Sequence, residues 1–102
     1  MSARLLQLNF NFSVTGAEYE AAVGPLAEDF AALEGLIWKI WMINEEEGEA
    51  GGIYLFENEE SAQAYLDGPL AEAVINHPAL SQFSVKQFDV MEDMTKVTRG
   101  PV

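Results

Sequence analysis

Lys39 sits inside Gly35-Leu36-Ile37-Trp38-Lys39-Ile40-Trp41-Met42, between two tryptophans and among residues whose apolar character calls for a strand. The chain holds only five Lys and Arg residues, Arg4, Lys39, Lys86, Lys96 and Arg99, against seventeen Asp and Glu. A cation placed in an apolar strand needs either a lined cavity or a partner to receive it. An amine so placed can hold an oxyanion, and a neighbouring indole adds an N–H donor and a flat face for stacking. Asn9 and Asn11 bring amide donors on an early strand beside Gln7, and Tyr54 brings a phenol from Ala50-Gly51-Gly52-Ile53-Tyr54-Leu55-Phe56. Lys86 adds a second amine.

The rest of the composition narrows the field. A formal charge of −12 argues against nucleic acid and against anionic membrane surfaces, since phosphate binding needs a basic face. No apolar run is long enough to span a bilayer and the first residues lack the apolar stretch of a signal peptide, so the expected location is the cytoplasm. With no cysteine and one histidine, thiol catalysis and thiolate or multi-histidine metal sites are excluded within one chain, and no cofactor is expected.

These side chains need elements to position them. Leu6, Leu8, Phe10 and Phe12 alternate with Leu5, Gln7, Asn9 and Asn11, which predicts a strand over 4–12. Thr15 and Glu18 have capping-box spacing, and Tyr19, Val23, Leu26, Phe30 and Leu33 recur at helical intervals over 16–33, with a break expected at Gly24-Pro25. Strands over about 36–46 and 49–57 flank the acidic turn and form a hairpin. Asn58 caps a helix ending near Asp67-Gly68, Pro69 opens a shorter one that His77-Pro78 stops, and 82–91 returns to strand. Residues 1–94 read as one domain and 95–102 as a tail.

The order β-α-β-β-α-β is that of an α+β, ferredoxin-like fold, an antiparallel sheet with its helices on one face. Uninterrupted alternation would put Leu5, Ile37, Lys39, Trp41 and Ile43 on the uncovered face beside Gln7, Asn9 and Asn11, and Trp38 with Leu36, Ile40 and Met42 in the core. An open apolar face of that size predicts a homodimer.

The chain resembles the YdhR-like mono-oxygenase family of the dimeric α+β barrel superfamily. The resemblance rests on Leu5-Leu6-Gln7-Leu8, the Trp-Lys-Ile-Trp segment 38–41 with its flanks, Glu49 to Phe56, Ser61 to Leu66, and Lys86-Gln87-Phe88-Asp89-Val90. It implies a dimeric barrel and a mono-oxygenase that works without metal or flavin on a small aromatic compound, phenol or quinol-like. In such chemistry the substrate supplies the electrons, while the protein removes a proton, stabilises an anion and excludes water. Lys39, Asn9 and Tyr54 are then the candidate catalytic residues, and Trp41, Asn11, Trp38 and Lys86 the candidate substrate contacts.

Ordinary readings compete with these. Trp38 is accounted for by core packing, Trp41 by a dimer interface, and Lys39 by a stem lying on apolar surface with its charge paired to a glutamate. Haem-degrading members of the superfamily imply an alternative in which His77 ligates iron assisted by Asn9, with Tyr65 near the place of a tryptophan; against it, His77 precedes proline and reads as a turn residue. Two further alternatives are a non-catalytic protein that binds a small ligand and a purely structural dimer.

Overall fold

In the computed structural model, which describes residues 3–102, the expected strand β1 spans Arg4–Phe12. Thr15 caps helix α1 (Gly16–Val23): its side-chain oxygen accepts from the Glu18 amide at 3.1 Å while its own N–H donates to the Glu18 carboxylate at 3.0 Å. Gly24–Leu26 tightens into a 3-10 turn before α2 (Ala27–Ala31), which is the break that Pro25 requires. Gly35 has φ +83° and turns the chain into β2 (Leu36–Asn44).

β2 and β3 (Glu49–Phe56) form the hairpin, closed by Gly48 at φ +65°. α3 (Glu59–Leu66) begins at Asn58, whose side chain accepts from the Ser61 amide at 2.8 Å. α4 (Pro69–Ile75) and β4 (Leu80–Asp89) follow, and the chain ends with α5 (Glu92–Val97) and an extended segment. β4 therefore starts and stops two residues earlier than the apolar pattern suggested, and helical turns begin the C-terminal tail.

The four strands lie in the order β2-β3-β1-β4, all neighbours antiparallel, which is the ferredoxin-like arrangement. One face carries the helices. There Leu6, Leu8 and Phe10 of β1 meet Tyr54 and Phe56 of β3, Phe30 of α2 and Tyr65 of α3, all buried. Each such aromatic or leucine contributes about 1.5 to 3 kcal/mol by leaving water. Among the described residues no helix is long and apolar enough to cross a membrane.

Of two register shifts in the sheet, one between β1 and β4 and one between β2 and β3, the second has large consequences. Between Leu36 and Trp38 the β2–β3 register shifts: Leu36 opposes Phe56, Trp38 opposes Leu55, and Ile37 is extra. A one-residue bulge exchanges the two faces for everything beyond it. Lys39, Trp41 and Ile43 consequently line up with Tyr54, Gly52 and Ala50 on the helix-bearing face. Trp38, Ile40 and Met42 go to the open face with Leu5, Gln7 and Asn9. The sequence expectation for β2 is thus inverted, and Trp38 is no core residue: its indole N–H donates to the Pro101 carbonyl at 2.8 Å.

Candidate functional site

Lys39 points under the helices from an edge strand. Tyr54 stands directly opposite on β3, and Gly52 is opposite Trp41. From above, α2 lowers Phe30 into the same space, with its ring edge-on to Trp41 at 5.3 Å and an interplanar angle of 84°. The Lys39 Nζ lies 3.4 Å from the Phe30 ring centre, 3.4 Å from that of Trp41 and 4.6 Å from that of Tyr54. The lysine is enclosed by three aromatic rings.

Two effects oppose each other at this nitrogen. Removal from water disfavours the ammonium and brings the Lys39 pKa from 10.5 down to about 7. The ring faces, negative at their centres, favour the charged form. Among the described residues no carboxylate lies within ion-pair distance of Nζ, the ion pairs there being those of Arg4 with Glu59 and Asp89. The expected pairing of Lys39 with a glutamate does not occur.

Tyr54 is 1% exposed, and its hydroxyl lies 3.0 Å from that of Tyr65. Burial raises the pKa of Tyr54 well above that of a free phenol, and the adjacent Tyr65 raises it further. Burial raises Tyr65 too. Both remain neutral phenols at physiological pH, able to pass a hydrogen bond but not a charge.

The Lys39 cavity itself is nearly filled, with free volume of about 10 Å³, room for about one water molecule. Beside it a cleft of about 410 Å³ opens between α1 and β2. Tyr19, Val23 and Trp41 line both spaces, so Trp41, 39% exposed, is the partition between them. Glu20 is the one charged side chain in the cleft wall.

The remaining sequence candidates, Trp38 apart, lie elsewhere. Asn9, Lys86 and Gln7 line a polar hollow on the open face with Glu49, Ser84 and Phe88. Gln7 donates to the Asn9 side-chain oxygen at 3.1 Å, and the Asn9 amide donates to Glu49 at 3.1 Å. Asn11 is exposed on that same face, opposite Glu49 and Ser81. The expectation that Asn9 and Asn11 share a face with Lys39 and Trp41 is corrected by the bulge: the sheet separates them. Trp38 borders a third hollow, of about 230 Å³ at the β2 edge, which Phe30, Lys39 and Trp41 also line.

His77 sits in the turn after α4, its Nδ1 accepting the Ala79 amide at 3.1 Å, and it lines neither the Lys39 cavity nor the cleft. Among the described residues no group of three or more His, Asp or Glu side chains could hold a metal ion.

Sequence reasoning missed Phe30, Gly52 and the role of Tyr65. Phe30 read only as one more member of a helical apolar stripe. The paired Gly51-Gly52 inside a strand was the available signal, since glycine there marks close approach of another group.

Comparison with known proteins agrees with the fold. A family model described as "putative mono-oxygenase ydhR" matches residues 5–101. No curated protein matches the chain. Among solved structures, a Nitrosomonas europaea protein of unknown function is 21% identical with a TM-score of 0.67, over 89% of this chain and 91% of its own. SnoaB, a cofactor-independent oxygenase from Streptomyces nogalater, is 18% identical with a TM-score of 0.70, over 90% and 96%. The haem-degrader MhuD from Mycobacterium tuberculosis is 20% identical with a TM-score of 0.66, over 85% and 95%. These structures share the fold. With nearly its whole length matched by the family model, the chain belongs to the ydhR mono-oxygenase family.

Proposed function

We propose that the protein is a cofactor-independent mono-oxygenase of a small phenol or quinol-like compound, bound in the cleft between α1 and β2. The observation that carries this reading is Lys39: an amine with no carboxylate partner among the described residues, set among Phe30, Trp41 and Tyr54 behind the Trp41 wall of an apolar cleft. With its pKa near 7, the free amine is populated at neutral pH and can take the phenolic proton. The ammonium that results then pairs with the phenolate, and Trp41 supplies the stacking wall. The electron-rich anion transfers electrons to dioxygen. For a simple phenol the ring gains one oxygen atom, the O–H and the para C–H hydrogens are lost, and the second oxygen leaves as water, giving a quinone.

Asn9, Asn11 and Lys86 take no part at Lys39 in this reading. They belong to the open face, where Leu5, Ile40 and Phe88 leave apolar surface in water, with Ile40 52% exposed. We assign that face to a second copy of the chain, whose sheet would cover it and enclose the polar hollow around Asn9.

Dioxygen uptake with a panel of phenols and hydroquinones, followed by mass analysis of products, tests the function. The expected result is substrate-dependent uptake that Lys39→Met abolishes. Phenols that bind tightly and are recovered unchanged would replace the enzyme by a small-ligand-binding protein.

A further inference from the structure

The space around Lys39 is fitted to its stem. A methyl group on Gly52 would stand 2.8 Å from Lys39 Cε and 3.2 Å from Tyr54 Cε1, so glycine at this position leaves the lysine stem its inward path and a larger residue would press on it. The stem delivers Nζ to a place where rings surround it and, among the described residues, no side-chain acceptor engages it. Lys86 and Lys96 are exposed by contrast.

A lysine held in apolar surroundings with a free lone pair is a nucleophile for carbonyl carbon. The oxygenase reading uses the amine as a base and leaves this capacity unassigned. Lys39 itself lines a hollow of about 230 Å³ at the β2 edge, with Ala27, Phe30, Leu36, Trp38 and Trp41 as further walls, which gives room for a substituted ring.

We propose that Lys39 is a covalent carbonyl-binding site that condenses with aromatic aldehydes or ketones seated in this hollow at the β2 edge. The Nζ lone pair adds to the carbonyl carbon, and a proton passes from nitrogen to oxygen to give a carbinolamine. The C–O bond then breaks, a C=N bond forms, and water leaves with the oxygen and two hydrogens. Nothing is oxidised or reduced, so no co-reactant is required. The reaction is independent of dioxygen, and it stands or falls separately from the oxygenase activity.

Benzaldehyde with sodium cyanoborohydride, under nitrogen at neutral pH, tests this on the unmodified protein. Intact mass and peptide mapping should show one benzyl adduct on Lys39, in at least about tenfold excess over Lys86 or Lys96. Gly52→Ala, whose methyl presses on Lys39 Cε, should lower the Lys39 excess over the other two lysines. Adducts distributed by exposure, with Lys39 equal to or below Lys86 and Lys96 in the unmodified protein, would overturn the proposal.

Discussion

Lys39 and Tyr54 face one another across the β2–β3 ladder, the amine 4.6 Å from the phenol ring, yet their titrations respond oppositely to the same burial. Loss of water lowers the lysine and raises the tyrosine, because in each case it is the charged form that suffers. At neutral pH the pair can therefore sit as amine and phenol, both uncharged, beneath the helices.

The lysine carries a pH signature in stability. Its folded pKa lies near 7, below 10.5, so the unfolded chain binds more protons between these values and stability rises with pH across that window. Above about 10 the raised tyrosines reverse the trend, because the unfolded state then releases protons that the folded state keeps. Lys39→Met should flatten the rise from pH 7 to 10 in urea titrations and stabilise the protein by about 1 to 4 kcal/mol at pH 7. An unchanged slope would show that the ring faces hold the amine charged.

Catalysis should follow the same group. With Lys39 as base, kcat/KM falls as pH drops through about 7 and levels off above it. Lys39→Arg, protonated throughout, should lose about 100-fold or more in kcat/KM and show no such limb.

Removing the Tyr65 hydroxyl isolates that of Tyr54 in the core. Tyr65→Phe should cost about 1 to 3 kcal/mol, the penalty of a buried polar group without its partner. Adding Tyr54→Phe should return part of this loss, a coupling that a double-mutant cycle in guanidinium measures.

At the edge strand, Trp38→Phe removes the donor that holds the Pro101 carbonyl. Hydrogen exchange in residues 98–102 should accelerate markedly, while global stability changes by less than about 1.5 kcal/mol. Unaltered exchange would mean that other contacts fix the tail.

Ile40→Glu places a charge in the middle of the open face, opposite Ile53. Sedimentation should report a dimer for the parent chain and a monomer for this variant. A monomeric parent would remove the second copy from the proposed assembly, and a variant that stays dimeric would move the interface off this face.

Local signals were legible in the sequence because their causes are local. The Thr15–Glu18 box, the Asn58 cap and the Pro25 break each involve residues within three positions of one another, and each appears where its spacing placed it. The direction of Lys39 was not legible. Ile37 is neither glycine nor proline, Leu36 before it packs against the core, and Trp38 beyond it is held by a carbonyl 63 positions away. The components of the site, Lys39, Trp41 and Tyr54, could be named from residue type and flanking pattern, whereas Phe30 reaches them only through the path of α2.

The extra residue at Ile37 acts on the chain as a parity change. Every position of β2 after it presents its side chain to the opposite side from what counting along the strand implies. Two homologous strands aligned residue for residue, one with this insertion and one without, would match letters while exchanging inside for outside. A role inferred for Lys39 therefore transfers to a relative only when the phase of the strand, and not merely its letters, is the same.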